Sequence, residues 1–249
     1  MCTETRRLGI RTSLPSGTRS EETMQQAREW LRDCLHNHED CRSSQRAIAP
    51  LPTRLVSVQR EASCLIARLC ESVSLPPNTD YLSLSHCWGN VKFTTLTTTN
   101  HQQFRDSIPI AELSRAFQDA FLVTVELGFQ YIWIDSLCII QDQKSDWRAE
   151  SSKMASVYQN AVCNITASGF ESGLNGFLRE ERQNDPTPIS TDVAWDMPSY
   201  WDAYPGRYFV LHDSSPWEDV FSGPLFRRGW VLQEQVLVRS ERWGCSCSI

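Results

Sequence analysis

The run Tyr131-Ile-Trp-Ile-Asp-Ser-Leu-Cys-Ile-Ile-Gln-Asp142 constrains this chain more than any other stretch, because it reads as an apolar strand over Tyr131–Ile140 broken by one acidic side chain. Moving an unpaired carboxylate out of water costs several kcal/mol or forces a shifted pKa, so Asp135 must face a cleft or meet a hydrogen-bond donor. Scaffold and site are therefore expected to coincide there.

Around this strand the element types alternate. The pattern predicts a strand over Tyr81–Cys87, a helix from about Ile110 to Leu127, the strand just described, a helix from about Asp146 to Tyr158, and a strand over Ala161–Ala167. Strands separated by helices of this length imply βαβ units, hence an α/β fold with a mostly parallel sheet flanked by helices. Leu113, Phe117, Ala120, Phe121, Thr124 and Leu127 share one face of the first of these helices, and Gly128 suits the left-handed position that ends it.

Upstream, residues 1–20 read as a flexible polar lead. From Glu21 a helical spacing follows, with Met24, Ala27, Trp30, Leu31, Cys34 and His38 at three- and four-residue steps. Two β-rich runs, Arg54–Val58 and Cys64–Cys70, then resemble a hairpin. Residues 21–75 are thus expected to form an N-terminal helix-plus-hairpin appendage, and residues 78–240 the core. Within the core, residues 169 to about 206 read as a long irregular insertion, rich in Gly, Pro, Asp and Ser. A strand over Arg207–Leu211 and a helix from near Arg228 complete it, and residues 241–249 read as a tail that suggests truncation.

Composition removes several function classes. The net charge is −6, from 24 Lys and Arg against 30 Asp and Glu, and no basic run is long enough to attract nucleic acid. Nowhere do about 18 apolar residues run together, so no membrane span is expected, and the polar start implies a cytoplasmic protein. Of the 10 cysteines, Cys64, Cys70, Cys87, Cys138 and Cys163 lie in apolar strand-like segments, where reduced thiols are expected. The sequon at Asn164 lies in such a segment too and is discounted.

Ligands of open α/β sheets bind outside the carboxyl ends of the strands. Ser85-His-Cys-Trp-Gly89 and Asp135-Ser-Leu-Cys138 occupy such ends here. Gly89 allows backbone conformations that other residues avoid, and Ser85 and His86 can donate hydrogen bonds; a turn glycine beside a core Trp88 is the plainer reading. Trp230 and Glu234 lie four residues apart, on one helical face, where they could pair a stacking ring with an acid or simply form a half-buried surface. Cys34, His38 and Cys41 have zinc-ligand spacing but no convincing fourth ligand, Cys245-Ser-Cys247 being weak, so no metal is assigned. Cys138 or Cys87 acting with His86, His101 or His212 would make a thiol hydrolase, but large apolar neighbours disfavour a thiolate. No phosphate-binding glycine loop or dinucleotide fingerprint is present.

Taken in order, several blocks resemble the fungal heterokaryon incompatibility (HET) domain. They are Trp30-Leu-x-x-Cys34 with His38 and Cys41, Leu51-Pro-Thr-Arg-Leu55, Tyr81-Leu-Ser-Leu-Ser-His-Cys-Trp-Gly89, Phe117-x-Asp-Ala120, Leu127 through Asp142, Asp146-Trp147, Met154-x-x-Val-Tyr-x-Asn-Ala161 and Arg228-Gly-Trp-Val-Leu-Gln-Glu234. The resemblance implies a fungal intracellular trigger of programmed cell death after non-self recognition, and a distantly TIR-like sheet. It further implies NAD as a candidate substrate, no bound cofactor, Glu234 as the catalytic carboxylate, and Ser85, Trp88, Gly89, Asp135 and Trp230 as substrate-binding residues. Val231 departs from the TIR pattern, which carries Cys beside the Trp. Self-association or another incompatibility protein is the implied partner. The alternatives are a non-catalytic signalling or interaction module and an inactive truncated copy.

Overall fold

The structure is a computed structural model that describes residues 17–37, 50–167, 174, 176–181, 189–193, 206–210 and 223–227. Helix α1 (Glu21–Asn37) starts at Ser20, whose Oγ accepts the Thr23 N–H at 3.3 Å and whose carbonyl accepts the Met24 N–H at 3.1 Å. Serine at this position satisfies donors that the first turn leaves open, and Glu21 and Glu22 sit favourably at the positive end of the helix. Its buried stripe is Met24, Ala27, Leu31 and Cys34. Trp30, expected in that stripe, is 66% exposed instead. One residue is about 100° of helical rotation, so a neighbour of Leu31 is turned off the stripe.

Strands β1 (Arg54–Glu61) and β2 (Cys64–Glu71) pair antiparallel from Arg54↔Glu71 to Glu61↔Cys64. The hairpin closes through Ala62 and Ser63, with Ala62 at φ +53°, because two-residue hairpin turns demand positive φ. Strands β3 (Leu82–Ser85), β4 (Tyr131–Trp133) and β5 (Cys163–Thr166) follow, and the sheet order is β2-β1-β4-β3-β5. β3 is parallel to β4 and β5, while β1 is antiparallel to β2 and β4. The sheet is therefore mixed rather than mostly parallel. The hairpin expected as an appendage lies along β4 and extends the same sheet, with Leu55, Val56 and Val58 buried in one core with Ile132.

The strand expected over Tyr131–Ile140 ends early. After Trp133 and Ile134 the chain turns into a short helix, α4 (Asp135–Cys138), where the Asp135 carboxylate accepts the Ser136 N–H at 2.6 Å. An aspartate offering its oxygens to nearby backbone competes directly with a strand ladder. The same competition splits the helix expected from Asp146 to Tyr158 into α5 (Lys144–Ser151) and α6 (Met154–Asn160). At the break, the Ser151 and Ser152 hydroxyls donate back to the carbonyls of Arg148 and Ala149. Helix α2 (His101–Asp106) lies against β2. Helix α3 (Arg115–Glu126) follows a 3₁₀ turn at Ile110–Glu112. It ends as expected at Gly128, which has φ +85°.

Strands β6 (Ile189–Val193) and β7 (Gly206–Val210) pair antiparallel, so the expected irregular insertion contains a strand. The helix expected from Arg228 and the expected tail lie outside the described residues. Among the described residues no helix is long and apolar enough to cross a membrane.

The connection from β3 runs through α3 to β4 on one side, while that from β4 runs through α5 and α6 past β3 to β5 on the other. Right-handed crossovers in opposite directions put their helices on opposite faces and make the carboxyl ends of β3 and β4 a topological switch point, the place where open α/β sheets form a ligand crevice. α3 packs on β1 and β4, and Tyr158 of α6 meets Trp133 edge-on at 5.5 Å.

Candidate functional site at the carboxyl ends of β3 and β4

This switch point brings together two loops that are far apart in sequence. Asp135 follows β4, and His86, Cys87, Trp88 and Gly89 follow β3. The Trp88 indole N–H donates to Asp135 Oδ2 at 2.9 Å, and His86 Nδ1 lies 4.0 Å from Oδ1. The Asp135 side chain remains 15% exposed and that of His86 only 2%. Asp135 is thus a carboxylate held by the Trp88 and Ser136 N–H groups at the border of solvent. Gly89 has φ +64°, in the left-handed region, so the chain can turn away directly after Trp88 at a backbone angle that strains other residues.

An aromatic wall stands behind this pair. His86 meets Phe117 edge-on at 5.0 Å and Phe93 at 6.2 Å, while Phe93 meets both Trp88 and Phe117 at 5.5 and 5.6 Å. Perpendicular rings place positive edges on negative faces, and each such pair adds about 0.5–1.5 kcal/mol beyond burial. Phe117 comes from the first turn of α3, so the helix that connects β3 to β4 also supports the site between them.

Ser85 is buried, and its hydroxyl is bonded to Asn164 of β5. Asn164 accepts from Ser83 Oγ at 2.9 Å and donates to Ser85 Oγ at 3.0 Å and to Thr166 Oγ1 at 3.2 Å. This polar ladder fixes the β3–β5 register, since a slip would leave several buried groups unpaired. The amide had been visible only as a sequon inside an apolar run.

A second constellation, not anticipated as a site, anchors the far end of α4. Arg54, buried at the start of β1, donates through Nε to the Cys138 carbonyl at 2.7 Å and through Nη2 to Asp146 Oδ2 at 2.5 Å. The same oxygen accepts the Ile140 N–H at 2.8 Å. Burial alone would lower the Arg54 pKa, but its hydrogen bond to Asp146 and the charges of Asp146, Glu150 and Glu71 outweigh this and raise it. Nearby, Glu150 is buried and accepts from Thr53 Oγ1 at 2.7 Å and Lys153 Nζ at 3.0 Å. The signal in the sequence was a charged residue opening a buried strand, in Leu51-Pro-Thr-Arg-Leu55.

The six described cysteines are thiols. Burial pushes the Cys138 thiol up to about 12, so it holds almost no thiolate at neutral pH. His101 lies 3.3 Å from Glu71, and His212 is outside the described residues. Cys34 sits in the buried stripe of α1, whereas His38, Cys41, Cys245 and Cys247 also lie outside them. Trp230 and Glu234 do too.

The model of one protein family, described as heterokaryon incompatibility protein (HET), matches residues 81–234, more than half of the chain. The chain belongs to the HET family. Comparison with curated proteins and with solved structures returned no match. The HET match opens at Tyr81, immediately before β3, and contains both loops of the crevice, α3 with Phe117, and Asp146. α1 and the β1–β2 hairpin precede it, yet Arg54 of that hairpin anchors α4.

Proposed function

We propose that this HET-domain chain acts in fungal heterokaryon incompatibility as an intracellular trigger of programmed cell death after non-self recognition. In this reading the crevice at the ends of β3 and β4 is the working surface. What supports it most is the Trp88–Asp135 bond, which holds a partly exposed carboxylate at the carboxyl ends of β3 and β4. The activity proposed there is cleavage of NAD. Breaking the nicotinamide–ribose bond develops oxocarbenium-like charge, which a carboxylate beside the ribose stabilises. Glu234 takes that role, Trp88 or Trp230 contacts a ring of the nucleotide, Ser85 and Gly89 line its phosphates, and Asp135 bonds a ribose hydroxyl or braces the loop. Self-association, or meeting another incompatibility protein, switches the activity on.

A second reading is favoured by a specific observation. The Ser85 hydroxyl is bonded to Asn164, and both Asp135 oxygens already accept protein N–H groups. A surface whose polar groups are satisfied internally suits a non-catalytic interaction module. Measuring NAD loss by the purified chain, with and without enforced clustering, separates the two, with Glu234→Gln as comparison. Loss on clustering that Glu234→Gln abolishes supports cleavage. Unchanged NAD with toxicity retained in Glu234→Gln supports the module, and absence of both supports an inactive copy.

A further inference from the structure

Asp119 lies on α3 two residues beyond Phe117, with its side chain 2% exposed. Its Oδ1 accepts from Arg19 Nη2, and its Oδ2 accepts the Leu178 N–H at 3.0 Å. One buried carboxylate thus holds two segments that are 159 residues apart. These segments also hold each other: the Arg19 N–H donates to the Arg179 carbonyl at 3.0 Å, and the Arg179 N–H donates to Thr18 Oγ1 at 2.8 Å. Glycines permit the approach on both sides. A Cβ on Gly17 would lie 2.3 Å from the Arg179 carbonyl oxygen, and one on Gly176 would lie 2.3 Å from Asp119 Oδ2.

We propose that residues 17–20 and 176–181 form a single strap, latched on Asp119, that opens and closes as one unit. The physical reason lies in the charge. If Arg19 leaves, Asp119 becomes a buried carboxylate without its cation, and its remaining bond to Leu178 cannot compensate. If residues 176–181 leave, Arg19 loses the Arg179 carbonyl that its N–H meets at 3.0 Å and the Glu180 carboxylate 3.1 Å from its Nε. Each half therefore holds the other in place through Asp119. Because Asp119 and Phe117 share the first turns of α3, an open strap also loosens the support of the aromatic wall behind His86. The strap itself stands on these contacts alone; its bearing on the crevice rests on the proposed function.

Hydrogen exchange of the full chain tests the coupling. Arg19→Ala is expected to speed exchange at the Leu178 and Arg179 amides by on the order of a hundredfold, as breaking a buried pair predicts. Gly176→Ala is expected to do the same at the Arg19 amide, and the double variant to add little to either. The amides of Val56 and Ile132 in the central sheet report that the fold is intact. Arg19→Lys, which retains the charge, gives a milder version if Arg19→Ala does not fold. Effects confined to the segment that carries the substitution would overturn the strap. Faster exchange at the Phe117 and Gln118 amides in the open variants carries the link to the crevice, and unchanged exchange there overturns that link alone. NAD loss and toxicity enter none of these readouts, so failure of the proposed activity is distinguishable from failure of the strap.

Discussion

The two ends of α4 handle charge in opposite ways. At its start, Asp135 accepts an indole N–H and a backbone N–H, with the His86 Nδ1 4.0 Å away. Beyond its end, Asp146 is paired with a buried guanidinium that also grips the Cys138 carbonyl. The two carboxylates are equally exposed, at 15% and 16%, so what separates them is the partner: a carboxylate met by a buried guanidinium is committed to holding structure, because separating the pair strands a charge. Asp135 is held by N–H groups on both oxygens, with no cation among the described residues hydrogen-bonded to it. Four residues of helix thus join an anchored corner to the one proposed as the working corner.

The largest expected effect breaks the anchored corner. Arg54→Met leaves Asp146 without its cation and the Cys138 carbonyl without its donor, and should destabilise the fold by about 3–5 kcal/mol. Urea unfolding checks this; a loss below about 1 kcal/mol would show that the corner is not an anchor. Trp88→Phe tests the working corner, keeping the ring against Phe93 but removing the N–H from Asp135. Its expected cost is smaller, about 1–2 kcal/mol, because one N–H is lost and no charge is removed. Should the two variants cost the same, the distinction between the corners fails.

Thiol labelling sharpens the contrast without mutation. Among the described cysteines Cys64 is exposed and should react first at mildly alkaline pH, while Cys138, with its pKa pushed up to about 12 by burial, should stay unlabelled until the protein unfolds. Early labelling of Cys138 in the native protein would mean that the anchored corner opens readily.

The smallest effect concerns Asp142, a third carboxylate at the end of the same run. The Thr98 hydroxyl, then the Thr98 N–H, lower its pKa. With the folded value below the unfolded one, its contribution is complete above the ordinary aspartate range near 3.9 and fades as pH falls through the folded value. Thr98→Ala removes the hydroxyl bond, so the Asp142 titration followed by NMR should move up toward that range. An unmoved titration would assign the shift to other causes.

The alternation of strands and helices was legible because burial imposes its period on each element separately. Leu113, Phe117, Ala120, Phe121, Thr124 and Leu127 are all buried as their spacing required, and Gly128 ends α3 in the conformation expected. Element boundaries at Asp135 and Ser152 were misread, since side chains that bond to nearby backbone overrode an apolar or helical pattern. The hairpin looked separate because pairing partners leave little trace in local sequence. For the site, the carboxyl ends of β3 and β4 and the need of Asp135 for a donor were readable. That Trp88 would be the donor, and that Ser85 would bond to Asn164, depended on strand order.

By itself, the sequence determined that this is an α/β chain with a carboxylate set into its most apolar run, and its ordered blocks matched the HET family. Tertiary structure decided which groups meet that carboxylate and which cation anchors the helix behind it. The reason is physical: periodic burial is a local property that each segment carries alone. The pairing of charges and donors across β1, β3, β4 and α3 exists only once the sheet order has brought distant residues into contact.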